Sequence, residues 1–243
     1  MRHGGGPRRG ARRHPGRRRE GSEMTPALQQ HATPTVLVLA KEPVPGRVKT
    51  RLTPPYSPAQ AAILAEAALA DTLDAVLRAA VRRRVLVLDG EPGPWLPAGV
   101  EVVPQAGGGL DERIAAAFAA VSDGPALLVG MDTPQLTAGL LDAVDWCGGD
   151  AWFGPAADGG FWALGFAEPS LAPSLVRGVP MSTPETGRLQ RHRLAAAGLT
   201  VYDLPPLRDV DTAADAVAVA ADAPGTRFAA ALSRAHVRAE GAA

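Results

Sequence analysis

Four cations, Lys41, Arg47, Lys49 and Arg51, stand within eleven residues at the end of the stretch VLVLAKEPVPGRVKTRL, residues 36–52. Clustered guanidinium and ammonium groups suit phosphate oxygens, which accept charge-assisted hydrogen bonds from them. Three acidic positions follow further along: Asp132 in GMDTP, Asp158 in AADGG, and Asp209 with Asp211 in RDVDT. Singly, each has a plain reading as a turn former, an aspartate bonding its own backbone beside Pro or Gly. The cation loop likewise has a plain reading as a solvated turn. Together they describe a different chemistry. Carboxylates hold a hard divalent cation such as Mg²⁺ (or Mn²⁺), the cation bridges phosphate oxygens, and lysine and arginine balance the remaining charge. A nucleoside diphosphate or triphosphate needs that combination.

Other chemistries lack their residues. There is no G-x-x-x-x-G-K-[ST] loop and no G-x-G-x-x-G fingerprint. No G-x-S-x-G elbow is present. The single cysteine, Cys147, excludes an intrachain disulfide and a multi-cysteine metal site, and fits a reducing, cytoplasmic setting. None of the five histidines has a partner at metal-ligand spacing. Gly107-Gly108-Gly109 precedes a helical pattern and reads either as a flexible turn or as backbone N–H groups presented to an anion. Of the four tryptophans, Trp162 follows Asp158-Gly159-Gly160 and is the one placed to stack on a sugar or base, whereas the others read as packing.

The elements that must position these residues follow from patterning. Val36–Ala40 is an apolar run without alternation, which suits a strand buried on both faces of a parallel sheet. The cation loop then lies at the carboxyl end of a buried strand, where open α/β sheets bind ligands. Ser57 and Pro58 open a helix to about Ala80. Further strands are expected at 85–88, 100–103, 125–130, 151–155, 161–166 and 199–203. Helices are expected at 110–121, 137–146, 184–198 and 212–222, with 167–184 irregular. Strands alternate with helices through the fourth strand, a three-layer α/β pattern. The strand at 161–166 follows its predecessor after a short turn, which predicts one antiparallel or inserted strand, as in mixed sheets.

Composition bounds the rest. The chain has 243 residues, 46% of them hydrophobic and 21% charged, and formal net charge zero. Residues 1–23 hold eight arginines and two glutamates, so the remainder carries net charge −6. Against that acidic body the cations after the first strand stand out, and no second basic surface points to nucleic acid. Residues 1–30 read as a disordered Arg/Gly/Pro-rich tail, residues 31–225 as one domain, and residues 226–243 as a tail or loose helix. Met24 opens MTPALQQ just before the first strand, so what precedes it reads as translated upstream sequence. No apolar run is long enough for a membrane span.

Five motifs in order, AKEPVPGRVKTRL, GMDTPQL, FGPAADGGFWALGF, MSTPET and LPPLRDVDT, resemble a bacterial family described as glycosyltransferase-A-like and long labelled a domain of unknown function. The family is similar to the molybdenum-cofactor and 2-phospholactate guanylyltransferases. The resemblance spans about residues 34–222. It implies a three-layer nucleotide-diphospho-sugar-transferase fold, a mixed, mostly parallel sheet with helices on both sides. It places Lys41, Arg47, Lys49 and Arg51 at a nucleotide's phosphates, and Asp132, Asp209 and Asp211 at the metal. It puts Asp158, Gly159, Gly160 and Trp162 where the second substrate enters, with Asp158 and Lys49 the candidate catalytic residues. The implied partners are a nucleotide or nucleotide sugar and a small-molecule acceptor. Two departures are visible. Met131-Asp132-Thr133 supplies one acid where such glycosyltransferases often carry Asp-x-Asp, and residues 40–47 replace most of the Gly-rich loop of the nucleotidyltransferases. The expected function is metal-dependent glycosyl transfer from a nucleotide sugar. The alternatives are nucleotidyl transfer to a phosphorylated acceptor and a non-catalytic nucleotide-binding module.

Overall fold

The computed structural model describes Met1 and residues 33–240, with side chains to His236. The reading of residues 1–30 as a tail falls outside the described residues. In chain order the strands are β1 (Thr35–Lys41), β2 (Arg83–Asp89), β3 (Glu101–Pro104), β4 (Ala126–Gly130), β5 (Ala151–Pro155), β6 (Phe161–Phe166) and β7 (Val201–Asp203). The helices are α1 (Pro58–Arg78), α2 (Leu110–Ala119), α3 (Ala138–Asp142), α4 (Ala172–Val176), α5 (Thr186–Ala196), α6 (Ala213–Asp222) and α7 (Arg227–Glu240). The seven strands form one sheet in the order β3-β2-β1-β4-β6-β5-β7. Only β6 runs against its neighbours, antiparallel to both β4 and β5. This is the mixed, mostly parallel α/β sheet that the sequence predicts.

Strand β1 is central, and its residues show why helices must cover both faces. Val36, Val38 and Ala40 pack into one apolar cluster with Leu69, Leu73 and Val76 of α1. Leu37 points the other way, into a cluster with Ile114 and Phe118 of α2, Val176 of α4 and Leu194 of α5. Alternate side chains of a strand face opposite sides, so an unbroken apolar run needs cover on each. Helix α1 itself is buried on two sides. Its second face, Ala61, Leu64 and Ala68, meets Val219 of α6 and Phe228, Ala231 and Leu232 of α7. That double burial accounts for its small alanine side chains. Ser57 caps α1, its hydroxyl accepting from Gln60 N while the Gln60 side chain accepts from Ser57 N.

Local reading departed from the structure in two places. Helix α3 stops at Asp142 rather than reaching Trp146. Asp145 accepts the Cys147 amide on its carboxylate and the Trp152 indole N–H on its carbonyl, which turns the chain toward β5. The stretch 167–184, expected to be irregular, holds a single turn at Pro169–Leu171 and then α4. Ala172 and Val176 are drawn into helix by burial beside α2, a tertiary effect that Pro and Ser composition conceals.

Residues 226–243 include α7, which is fixed from outside itself. The Asp71 carboxylate on α1 accepts the Arg227 amide at 3.0 Å and the Phe228 amide at 2.8 Å, satisfying the open N–H groups of the helix start. Asp71→Ala is expected to cost about 1–2 kcal/mol, the usual loss for such a cap. Thermal unfolding should show it as a fall of about 2–8 °C for a chain of this size. An unchanged transition would mean that apolar contacts alone hold α7.

Candidate active site

The chain leaves β1 toward β2 on one side and returns to β4 on the other, so β1 and β4 flank the point where strand order reverses. Loops diverge there at the carboxyl ends of the strands and leave a crevice. The pairing of β1 with β4 ends at Leu39 and Gly130, and Lys41 and Asp132 follow on opposite rims. A cavity of about 470 Å³ opens at this place, lined among others by Lys41, Arg47, Lys49, Arg51 and Asp132.

Lys49 is the pivot of the cation loop. Its backbone is left-handed (φ 47°, ψ 40°), immediately before a single 3₁₀ turn at Thr50–Leu52. Buried Val48 and Leu52 anchor the loop on either side, so the side chain between them is turned inward. Lys49 is 10% exposed, and its ammonium donates to Asp132 Oδ2 at 2.7 Å and Asp211 Oδ1 at 3.3 Å. Burial pulls its pKa down, but Asp132 and Asp211 outweigh that, and the net shift is upward. The ammonium is therefore charged at neutral pH. Arg51 pairs with the other oxygen of Asp211 at 2.9 Å. Arg47 lies on the exposed rim, 4.0 Å from Asp89, and Lys41 is exposed at the end of β1.

The acids arrive from two distant segments. Asp132 follows β4, and the Val210 amide donates to the Asp132 carbonyl at 3.0 Å, which docks the 209–211 segment against it. One carboxylate oxygen each from Asp132, Asp209 and Asp211 then lie within 4.8 Å of one another. Asp209 carries the electrostatic cost. Burial first, then Asp132 and Asp158, push its pKa up to about 6. Three converging carboxylate oxygens are the donor set of a hard divalent cation such as Mg²⁺ or Mn²⁺, and such a charge would relieve that crowding. The residues thus fit the metal that their types predict.

Asp158 occupies the opposite wall, in the β5–β6 turn. Its Oδ1 accepts the Gly160 amide at 2.7 Å. The first glycine after it is required by close packing. Gly159 has φ 90°, and a Cβ there would sit 2.2 Å from the Pro184 carbonyl oxygen. The Gly187 amide donates to the Gly159 carbonyl at 2.8 Å, which seats the turn on the start of α5. Trp162 is not an open platform. It is 3% exposed, its indole N–H donates to the Pro205 carbonyl at 3.0 Å, and part of it lines the cavity.

Two lining residues, Gln105 and Arg113, carry no motif and escaped the reading of the sequence. Gln105 Nε2 is fixed by the Ala40 and Val87 carbonyls, and its oxygen accepts from Arg113 NH1 at 2.8 Å. The glycine run before α2 was their only signal. The Gly109 amide there is taken by the Glu112 carboxylate at 2.8 Å, so it is not offered to a ligand. Met181, Ser182 and Thr183 complete the wall beside Asp158, and Ser182 has a left-handed backbone, φ 58°. Among the described residues no helix is long and apolar enough to cross a membrane.

Comparison with solved structures agrees with this architecture. The chain is similar to a protein of Desulfovibrio desulfuricans G20 provisionally described as a nucleotide-diphospho-sugar transferase, at 25% identity and TM-score 0.75, over 84% of this chain and 95% of that one. It shares a fold with a nucleotidyl transferase from Methanothermobacter thermautotroptrophicus, at 17% identity and TM-score 0.54, over 77% and 95% of the two chains. It also shares a fold with CMP:2-keto-3-deoxy-manno-octonic acid synthetase complexed with CTP, at 12% identity and TM-score 0.51, over 78% and 97%. No curated protein matches the sequence. The family model described as "Uncharacterized protein conserved in bacteria (DUF2064)" matches residues 63–183, from α1 through Asp132 and Asp158 to Thr183, and over that span the chain is similar to that family.

Proposed function

We propose that the protein is a metal-dependent transferase that moves a glycosyl group from a nucleotide sugar to a small acceptor. The observation that carries this reading is the meeting of Lys49 and Arg51 with Asp132 and Asp211 at the strand-order reversal. Phosphate-balancing cations and metal-holding carboxylates there face one cavity. Asp132, Asp209 and Asp211 would hold the divalent cation, which when bound supplies positive charge to the donor's diphosphate. Lys41, Arg47 and Arg51, all exposed at the mouth of the cavity, bind and orient that diphosphate. Lys49, freed from the carboxylates, meets the charge that builds on the leaving phosphate. Asp158 on the far wall faces the acceptor and takes the proton of its attacking hydroxyl. Most of the rate then comes from positioning and fixed charge.

The test is to incubate the full chain with Mg²⁺ or Mn²⁺ and a panel of nucleotide sugars, following release of nucleoside diphosphate. A parallel panel of nucleoside triphosphates with sugar phosphates follows pyrophosphate. Release of pyrophosphate alone would replace glycosyl transfer by nucleotidyl transfer. Binding of nucleotide without metal, unaffected by Asp132→Ala, would favour a non-catalytic module.

The crowded carboxylates make two expectations for pH. The Asp209 carboxyl, pushed up to about 6, binds a proton that competes with the cation. Apparent Mn²⁺ affinity should therefore fall as pH drops through 6, by up to about tenfold per unit for one displaced proton. The sign reverses for stability. A raised carboxyl pKa means that the folded state binds this proton more tightly than the unfolded state. Ionised Asp209 thus burdens the metal-free fold above pH 6, and the burden lifts as pH falls from 6 toward 4. Asp209→Asn should raise the melting temperature of the metal-free protein at pH 7.5, with the gain shrinking toward pH 4. A variant less stable at pH 7.5 would show that hydrogen bonding of Asp209 outweighs repulsion.

A further inference from the structure

The cavity is electrically divided across the sheet. Five cations line it: Lys41, Arg47, Lys49, Arg51 and Arg113. The first four are carried by β1 and the loop after it. Arg113 is turned toward β1 and β2 by Gln105, which is itself bonded to Ala40 and Val87. The wall beyond β4 is different. Asp158, Phe161, Trp162, Met181, Ser182 and Thr183 line it, and no lysine or arginine does. Among the described residues neither Asp158 nor Asp209 has a cation within ion-pair distance, since the nearby Lys49 and Arg51 pair with Asp132 and Asp211.

The polar groups of this wall are specific. Thr186 donates its hydroxyl to the Pro180 carbonyl at 2.8 Å, so the Thr183 hydroxyl, 3.2 Å away, must donate to Thr186. Thr183 also accepts the Glu185 amide at 3.3 Å, and its hydroxyl is thereby largely used. Ser182 is different. Its hydroxyl has no partner among the described residues, and its left-handed backbone holds it at the cavity. Asp158 keeps Oδ2 unbonded while Oδ1 takes Gly160 N. Beside them lie the apolar surfaces of Phe161 and Met181.

We propose that this wall receives an uncharged, polyhydroxylated second substrate, and not a phosphorylated one. This deepens, and rests on, the reading of the site as a glycosyltransferase. A phosphate dianion placed here would face the Asp158 carboxylate on a wall that carries no lysine or arginine, and like charges brought together across an interface repel. A sugar or polyol finds what it needs: Ser182 and Asp158 for its hydroxyls, Met181 and Phe161 for its C–H edges. The acceptor oxygen bonds to the anomeric carbon as the C–O bond to the diphosphate breaks. That electron pair leaves with the nucleoside diphosphate, and the hydroxyl proton passes to Asp158.

Methionine methyl groups report both halves of the cavity. The chain has four methionines, and Met131 and Met181 both line the cavity, one beside Asp132 and the other beside Ser182. With ¹³C-methyl methionine in the full chain, Met131→Leu and Met181→Leu assign the two signals. Mg²⁺ with UDP, GDP, ADP or CDP is first added, and the Met131 signal shifts with the nucleotide that binds. Glucose and glucose 6-phosphate are then titrated, each with that nucleotide saturating. The expected result is a Met181 shift with glucose at a concentration at least tenfold below that needed for glucose 6-phosphate. Thr183→Lys, which adds a cation to the wall, should narrow that ratio. A Met181 response to glucose 6-phosphate at equal or lower concentration, or to neither sugar, overturns the acceptor class while leaving the nucleotide reading intact. A Met131 signal indifferent to every nucleotide removes that reading and this inference with it.

Discussion

Asp132→Ala is expected to lower transferase kcat/KM by about 10³-fold and to abolish Mn²⁺ binding, with little loss of fold stability. The carboxylate follows directly on β4, a central strand with four buried residues, so its position is fixed by the sheet rather than by a mobile loop. It also seats the other two acids, since Val210, between Asp209 and Asp211, donates its amide to the Asp132 carbonyl. Removing a fixed electrostatic group from a water-poor site typically costs about 10²–10³ in rate, and loss of a metal ligand adds to that. Stability should hold for two reasons. Lys49 keeps Asp211 as a partner at 3.3 Å, and Asp209 loses one of the charges that push its pKa up to about 6. Steady-state kinetics, metal calorimetry and thermal unfolding together check the prediction. A melting temperature that collapses would assign Asp132 a structural role, and retained metal binding would move the metal site elsewhere.

Lys49→Met should separate two functions that the wild-type residue combines. The ammonium lies 2.7 Å from Asp132 and 3.3 Å from Asp211, among the oxygens that would hold the cation. Ammonium and divalent cation cannot share that place. Removing the ammonium deletes a competitor, so Mn²⁺ should bind about tenfold more tightly without nucleotide. The same change leaves Asp132 and Asp211 facing each other, one of them with only Arg51 for relief. Stripping one partner from a buried ion pair costs about 3–5 kcal/mol, and less here because the acids are 28% and 29% exposed. A fall of about 5 °C in the melting temperature is expected without metal, restored when Mn²⁺ is added. Transfer should still drop about 100-fold, because the ammonium no longer meets the charge that builds on the leaving phosphate. Weaker Mn²⁺ binding in the variant would sink the idea that Lys49 stands in the metal's place.

Together these two variants define the site as a balance of charges. Asp209 and Asp158 keep no cation of their own among the described residues, and the cost appears in the raised pKa of Asp209. Such crowding is typical of sites that gain their full stability only with ligand bound.

Local chemistry was enough to read much of this protein from its residues. The unbroken run Val36–Ala40 required cover on two faces, and the short AADGG turn pointed to an antiparallel or inserted strand, which β6 is as an antiparallel one, so the mixed three-layer sheet was legible. Ser57 with Pro58 marked a helix start because caps act within one turn. The types of the site residues were legible too, as cations after one strand and acids after others. Their meeting was not. Lys49 and Asp132 are 83 residues apart, and Lys49 and Asp211 are 162 apart, and no periodicity acts over such distances. Strand order and the Val210–Asp132 hydrogen bond bring them together. The same limit hid the burial of Trp162, the early end of α3 and the recruitment of Gln105, Arg113 and Ser182 to the cavity. The sequence by itself determined which elements form and which chemistry is available, because propensity, capping and face patterning are local energies. Only the tertiary structure decided which charges meet, because burial and Coulomb interaction depend on distances that the folded sheet alone sets.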